Sequence, residues 1–398
     1  MELLKNKFCY IYILLWMVYY LQEILMITGL IAQSILVVLM VLSIYTFFQI
    51  NIFYRTGIYL KWLNVMLLVV TIYGIVLFLS GYALYPDEFN LNTSLQFGYL
   101  QNIYSSVLPI YAFYYFTLKG GLSEDNMKNI FFAFLLFSII MYYQNFFVVS
   151  EEIEKEEITN NMGYRFVPLI PMLALFKMKE AWKYVVLLIV FTFLIMSMKR
   201  GAILVGTIAL LLYAKHFFKA YSTKHIFYLL FLSTIAICFI LLFVVNLYET
   251  SDLFKGRFSS TMEGDTSNRL WIYTHYYDFF IHRTTNMEFL FGCGANAAYL
   301  RFGQYSHNDW LEFAINQGVF GVVLYLIYWI LFCREWINFQ GSSNTRHVLG
   351  ILIVVYFLKS WFSMSFDGMF IAATLCIGYC LAQNAKASLS IKRIVNRK

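Results

Sequence analysis

The feature that most constrains this chain is the length of its uncharged apolar runs. Segments 182–198, 201–218, 226–246 and 347–358 hold few or no charges. A helix needs about 20 residues to cross the hydrocarbon core of a bilayer, with roughly 17 as the lower limit. The runs are continuous rather than alternating, so they read as helices with internally paired backbones and not as barrel strands. Only 13% of the 398 residues are charged and 61% are hydrophobic. A soluble domain carries about 25% charged residues, so lipid must cover most of the outer surface. The chain reads as an all-α integral membrane protein, a single polytopic domain over residues 1–398. Its net charge of +7 then fits cytoplasmic loops facing anionic membrane lipid rather than nucleic acid.

About 12 transmembrane helices are expected, at 8–21, 30–50, 60–80, 100–118, 128–149, 164–178, 182–198, 201–218, 226–247, 310–333, 346–363 and 367–384. The first run lacks an A-x-A-like cleavage site and is followed by a second apolar run, so it reads as a retained helix. The charges test the count. Loops on the side of the N-terminus carry Lys5, Lys7, Arg55, Lys61, Lys119, Lys128, Lys177, Lys179, Lys183, Lys215, Arg334 and Arg346, and the tail adds Lys392, Arg393 and Lys398. The opposite side carries Asp87, Glu88, Glu151, Glu152, Glu154, Glu156 and Glu157. This positive-inside asymmetry puts both termini in the cytoplasm. One connection, 248–306, is far longer than the others. It contains Trp271, Tyr273, Tyr276, Tyr277, Phe279 and Phe280, too many aromatics for disorder, and is expected to fold over the outer mouth of the bundle just before the tenth helix.

One basic pair breaks the charge rule. Lys199 and Arg200, in the segment MKRGA (198–202), fall at the outer membrane edge. Snorkelling to headgroups is the plain explanation; an anion site is the other. Arg269, in GDTSNRLWIY (264–273), lies near the expected start of an amphipathic helix that Thr266 or Ser267 would cap. The segment SHNDWLEFAINQGVFG (306–321) leads into the tenth span. Ser306 and Asp309 have capping-box-like spacing, which would place His307 in the first helical turn, where anions are attracted. Asp309 and Glu312 read as helix-start acids. Two arginines and a histidine on one face make a kit for displacing a diphosphate with a hydroxyl. Arg grips phosphate oxygens bidentately, and His takes a proton near neutral pH. Trp271 and Tyr305 are candidates to stack on sugar faces, with aromatic packing as the plainer reading. The six cysteines form no C-x-x-C pair and no paired carboxylates have ligand spacing, so no metal is expected. Cys376 and Cys380, one turn apart, read as packing residues. The glycines of GCGAN (292–296) read as turn formers, with a backbone-amide anion nest as the minority view.

MKRGA, the Arg269 segment, GCGAN and SHNDWLEFAINQG together resemble the O-antigen ligase and Wzy-type polysaccharide polymerase family over about residues 195–325; NNMGYRFVPLIP (160–171) is similar to the family's segment ahead of its sixth span. The resemblance implies a membrane glycosyltransferase C-like fold. It implies catalytic roles for Arg200, Arg269 and His307, with Lys199 a departure from the usual pattern. The implied substrate is a glycan on undecaprenyl diphosphate at the outer face of the bacterial cytoplasmic membrane. The implied chemistry is inverting and metal-independent, needs no cofactor, and builds O-antigen, capsule or exopolysaccharide, with a chain-length regulator as partner. A ligase acting on lipid A core or protein uses the same chemistry. A flippase would instead carry ionisable groups at mid-membrane, whereas the spans here are nearly charge-free and the main exception, Lys359, falls close to the outer end of its helix.

Overall fold

A computed structural model describes residues 2–22, 25, 29–80, 93–151, 162–197, 199–219 and 269–395, with scattered positions between 242 and 259. Among these residues every regular element is a helix. The ninth expected span, the acidic stretches at 87–88 and 152–157 and the expected cap at 266–267 lie outside the described residues.

The helices follow the apolar runs. They are α1 (Glu2–Tyr20), α2 (Leu30–Phe53), α3 (Ile58–Ser80), α4 (Thr93–Val107), α5 (Pro109–Leu118), α6 (Glu124–Glu151), α7 (Gly163–Phe166), α8 (Leu169–Met172), α9 (Glu180–Met196) and α10 (Arg200–Lys219). After the gap come α11 (Arg269–His282), α12 (Asn286–Phe291), α13 (Ala297–Phe302), α14 (Asp309–Ile337), α15 (Ser343–Lys359) and α16 (Ile371–Val395). Four of the described helices are long and apolar enough to cross a membrane: Leu30–Phe53, Ile58–Val76, Glu124–Gln144 and Asp309–Ile337.

Two expected spans are not single helices. The run 100–118 divides at Leu108 into α4 and α5, because Pro109 has no N–H to continue a helix but suits its first position. The run 164–178 is α7, α8 and a short 3-10 turn at Leu173–Leu175, interrupted at Pro168, with Pro171 held inside the short α8. Hydropathy reports burial in an apolar medium and does not register these interruptions.

The chain forms two compact units. The first comprises Met1–Leu36, Lys119–Asp265 and Ser342–Val355. Within it the Phe166 ring stacks on Phe193 at 5.1 Å, and Tyr142 donates a hydrogen bond to the Met196 carbonyl, 2.9 Å, so α6, α7 and α9 share one core. The second comprises Val37–Leu118, Thr266–Gly341 and Tyr356–Lys398. There Tyr59 of α3 stacks on Phe332 of α14 at 4.1 Å, and Trp62 donates to the Leu324 carbonyl, 3.1 Å. Cys376 and Cys380 are wholly buried in α16, as packing residues.

Candidate active site

In the second unit residues 269–306 of the long connection pack onto α14. The core of that packing is Ile272, Tyr276 and Phe279 of α11 with Cys293, Ala297, Ala298 and Ile315. The Tyr276 ring stacks on Phe302 at 4.2 Å, and its hydroxyl donates to the Gln304 carbonyl. Arg301 lies 4.0 Å over the Phe279 ring. Aromatic spacing along α11 therefore serves mainly to seat that helix.

The join between connection and helix rests on a backbone break. Gly318, inside α14, has φ 69 and ψ −162, which interrupts the hydrogen-bond ladder that would otherwise run from residues 319 and 320 to the carbonyls of Ile315 and Asn316. Those two carbonyls instead accept the amide N–H groups of Cys293 (2.8 Å) and Gly294 (3.1 Å), and the Asn316 side chain accepts the Ala298 N–H at 3.0 Å. Two of the GCGAN amides are thus taken by the kink and that of Gly292 by the Glu288 carbonyl, so these three are not offered to an anion. Buried carbonyls without water must find donors, and this segment supplies them.

His307 sits where the connection enters α14. Asn308, not Ser306, caps the helix: its side chain accepts the N–H groups of Trp310 (2.9 Å) and Leu311 (3.2 Å). His307 therefore precedes the helix instead of lying in its first turn. It has φ +53, a left-handed conformation uncommon outside glycine that costs about 1–3 kcal/mol and persists only when the surroundings impose it. They do so on both sides. The Ser306 N–H donates to Glu312 Oε1 at 2.6 Å, and its hydroxyl donates to the Asn308 carbonyl at 2.9 Å. Asn308 Nδ2 donates to the Trp361 carbonyl at 2.9 Å. Ser306 and Asn308 are buried while His307 is exposed, so the imidazole is presented from a clamped turn.

Trp361 also connects the turn to Arg269. Its carbonyl accepts from Tyr273, 3.1 Å, one turn along α11 from Arg269, the helix's first residue. Burial pushes the Tyr273 phenol up, with the Arg269 charge and a hydrogen bond involving Asn308 pulling it back. Arg269, Tyr273 and the His307 turn therefore occupy one neighbourhood. On the other flank the cleft residues Tyr305, Asp309, Glu312 and Asp367 gather. Burial pushes the Tyr305 phenol up to about 12, with Asp367 and Glu312 adding to the effect.

Asp309 is more than a helix-start acid. It is 2% exposed, and its carboxylate accepts the Ser365 N–H (3.0 Å), the Ser365 hydroxyl (2.6 Å), the Phe366 N–H (3.1 Å) and the Tyr325 hydroxyl (2.7 Å). These bonds tie the start of α14 to the segment before α16. Lys359, the last residue of α15, is buried and donates to the Gly368 carbonyl at 2.9 Å. Each buried donor left unpaired costs about 1–3 kcal/mol, so Asp309→Ala is expected to destabilise the protein by more than about 3 kcal/mol. A fall in its unfolding temperature in detergent measures this, and an unchanged temperature would show the cluster to be dispensable.

Trp271 is 56% exposed and stacks on His275 at 4.4 Å, on the open side of α11. Arg200 belongs to the first unit, where it opens α10 half-buried after Lys199. The Lys199 N–H donates to the Ser197 hydroxyl at 3.3 Å. Sequence reasoning missed Arg165. A Cβ at Gly163 would fall 2.3 Å from Ser197 Oγ, so α7 abuts the α9–α10 turn and brings Arg165, which lies 4.6 Å over the Tyr20 ring, to the same end of that unit. NNMGYRFVPLIP displayed the arginine but not its placement.

No curated protein matches the chain. Residues 185–326 match the family Wzy_C, O-Antigen ligase, a segment of about a third of the chain that runs from α9 into α14 and contains Arg200, Arg269 and His307. With its apolar helices, the 269–306 part of its long connection packed onto α14 and this match, the chain has the character of a membrane protein and is similar over residues 185–326 to the O-antigen ligase family.

Proposed function

We propose that the protein polymerises a bacterial surface polysaccharide, joining glycan units carried on undecaprenyl diphosphate at the outer face of the cytoplasmic membrane. His307 takes the proton from an acceptor sugar hydroxyl as that oxygen attacks the anomeric carbon of the donor. One C–O bond forms as the bond to the diphosphate breaks, with inversion, and undecaprenyl diphosphate leaves. Arg269 holds the diphosphate and the negative charge that grows on its leaving oxygen, the kind of electrostatic stabilisation that is commonly the largest catalytic term, and Arg200 is assigned the same role by the resemblance of MKRGA. The arginines provide the positive charge, so the mechanism calls for no metal ion. The observation that carries this reading is the exposed His307 on a strained, clamped turn in the neighbourhood of Arg269. Strain of this kind clusters at active sites.

The test is transfer by the purified protein in lipid nanodiscs, given the host's lipid-linked oligosaccharide. A ladder of longer glycans on the lipid carrier supports polymerisation. Product only on added lipid A core or protein identifies a ligase, and movement of glycan without a new bond identifies a flippase. Arg269→Ala is expected to lower kcat/KM for the lipid-linked donor about 10²-fold or more. Donor kinetics unchanged in that variant would remove Arg269 from the mechanism.

A further inference from the structure

The turn that carries His307 has two unlike flanks. One holds Arg269 and Tyr273. The other is a cleft lined by Tyr99, Asn102, Asn296, Tyr305, Glu312 and Asp367. Nothing in the mechanism above uses this second flank.

Its polar groups are arranged as a site and not merely as a core. Asn296 is 2% exposed, lines the cleft, and holds a left-handed φ of 59 without capping the helix that follows. Its carboxamide makes no hydrogen bond among the described residues. Asp367 Oδ1 is sealed from bulk solvent and likewise has no hydrogen-bond partner there. A sealed carboxylate oxygen without a partner is costly, and a ligand that brings hydroxyl groups releases that cost, with the Asn296 carboxamide beside it at the cleft wall. Gln317 donates to the Tyr99 hydroxyl at 2.8 Å, which fixes that phenol at the cleft wall. Tyr305 and Asp309, which flank His307 in sequence, both line the cleft, so a ligand seated there lies beside the turn.

We propose that this cleft is the acceptor subsite and takes an uncharged sugar, whose hydroxyls donate to Asp367 and bond to the Asn296 carboxamide. The proposal rests on the glycosyl-transfer reading and adds the acceptor's class to it. Charge separates the flanks: an anionic diphosphate suits the arginine side, while Asp367 and Asp309 disfavour an acidic sugar such as a uronate. Burial pushes the Asp367 carboxyl up to about 7, with Asp309 adding to the rise and Lys359 opposing it; Glu312, Tyr99 and Tyr305 are the other titratable groups of the cleft. As pH falls through about 7 Asp367 gains a proton and ceases to be a charged acceptor, so acceptor KM rises.

The experiment uses the whole protein in nanodiscs, the lipid-linked repeat unit as donor, and the repeat-unit oligosaccharide freed of lipid diphosphate as acceptor. Asn296→Gly preserves the left-handed backbone and removes only the carboxamide. It is expected to raise acceptor KM about tenfold with donor KM unchanged, the loss that goes with one hydrogen bond. Asp367→Asn is expected to raise acceptor KM about 10–100-fold at pH 8 and to flatten its pH dependence. Unfolding temperatures near the wild-type value separate these effects from damage to the fold. If wild-type protein transfers no glycan from the donor, the glycosyl-transfer reading itself fails. If it does transfer, three results overturn the subsite alone: acceptor KM untouched in both variants, wild-type protein that ignores the free oligosaccharide, or linkage analysis showing a uronic acid at the newly glycosylated position.

Discussion

Replacing His307 by alanine is expected to lower glycan transfer by about 10²–10⁴-fold, the usual contribution of a general base, with protein levels in the membrane little changed. His307 is exposed, so truncating it opens no cavity. The turn is held by its neighbours, through Ser306 to Glu312 and through Asn308 to Trp361. The difficulty in reading such a variant is the backbone, since alanine tolerates a φ of +53 poorly. His307→Asn resolves it. Asparagine enters the left-handed region more readily than most residues, so the turn survives while the base is lost. Both variants are expected to be inactive, and H307N is expected to unfold no earlier than wild type by more than a degree or two. Transfer measured on lipid-linked donor, alongside unfolding temperature, checks both statements. Near-normal turnover in H307N would show that the strained turn serves the fold and not the chemistry.

The second large effect is structural. Gly318→Ala is expected to cost about 3–5 kcal/mol or to prevent accumulation of folded protein. A Cβ at Gly318 would lie 2.5 Å from Gly292 N and from the Leu290 carbonyl carbon, atoms of backbone that cannot swing aside. Gly292 meets the reciprocal problem, 2.3 Å from the Asn316 oxygen. Both glycines occupy a region of φ and ψ that is essentially closed to other residues, at 69 and −162 for Gly318 and 78 and 175 for Gly292. The conformational term alone is about 1–3 kcal/mol, and the displaced contact forfeits the pairing of Cys293 and Gly294 with the kinked carbonyls. Gly303→Ala supplies the comparison. Gly303 also has a positive φ, 68, but no atom lies within 4 Å of its Cβ position, so only the conformational penalty of about 1–2 kcal/mol applies. Size-exclusion recovery and unfolding temperature in detergent should rank the variants wild type, Gly303→Ala, Gly318→Ala. Equal behaviour of the two alanine variants would mean that the crossing of the two backbones contributes little.

These two predictions draw on different kinds of legibility. His307 stood out because the spacing put it at a helix N-terminus on the outer face, where anions are attracted, and because SHNDWLEFAINQG carries the family resemblance. What its spacing suggested, a place in the first helical turn, proved to be two residues too deep, because the cap is Asn308 and not Ser306. Ser306 and Asp309 match the capping-box pattern, but Asn308 has the better-placed acceptor and takes the cap. Local pattern cannot choose between adjacent capping residues when the choice is made by partners such as Trp361 and Ser360, more than fifty positions away. Glycines 292 and 318 were visible as turn formers. That each needs the other's missing side chain was not, because sequence holds no record of which backbones cross. Asn296 gave no signal at all; its interest comes from burial beside a cleft.

By itself, the sequence determined the solvent: runs of some 20 apolar residues with almost no charge admit helices in lipid and little else, because an unpaired backbone group there has nowhere to turn. It also singled out Arg200, Arg269 and His307 as cations and a base in a chain that has few. The tertiary structure decided where those helices stop and bend, at Pro109, Pro168 and Gly318, and which orphaned carbonyls the connection must serve. It also decided that one turn separates an arginine flank from a carboxylate and carboxamide cleft. Hydropathy is a sum over neighbours in the chain, and so survives in the sequence. A charge-divided site is made by Asn296, Tyr305 and Asp367 meeting across the fold, and exists only once the chain has closed on itself.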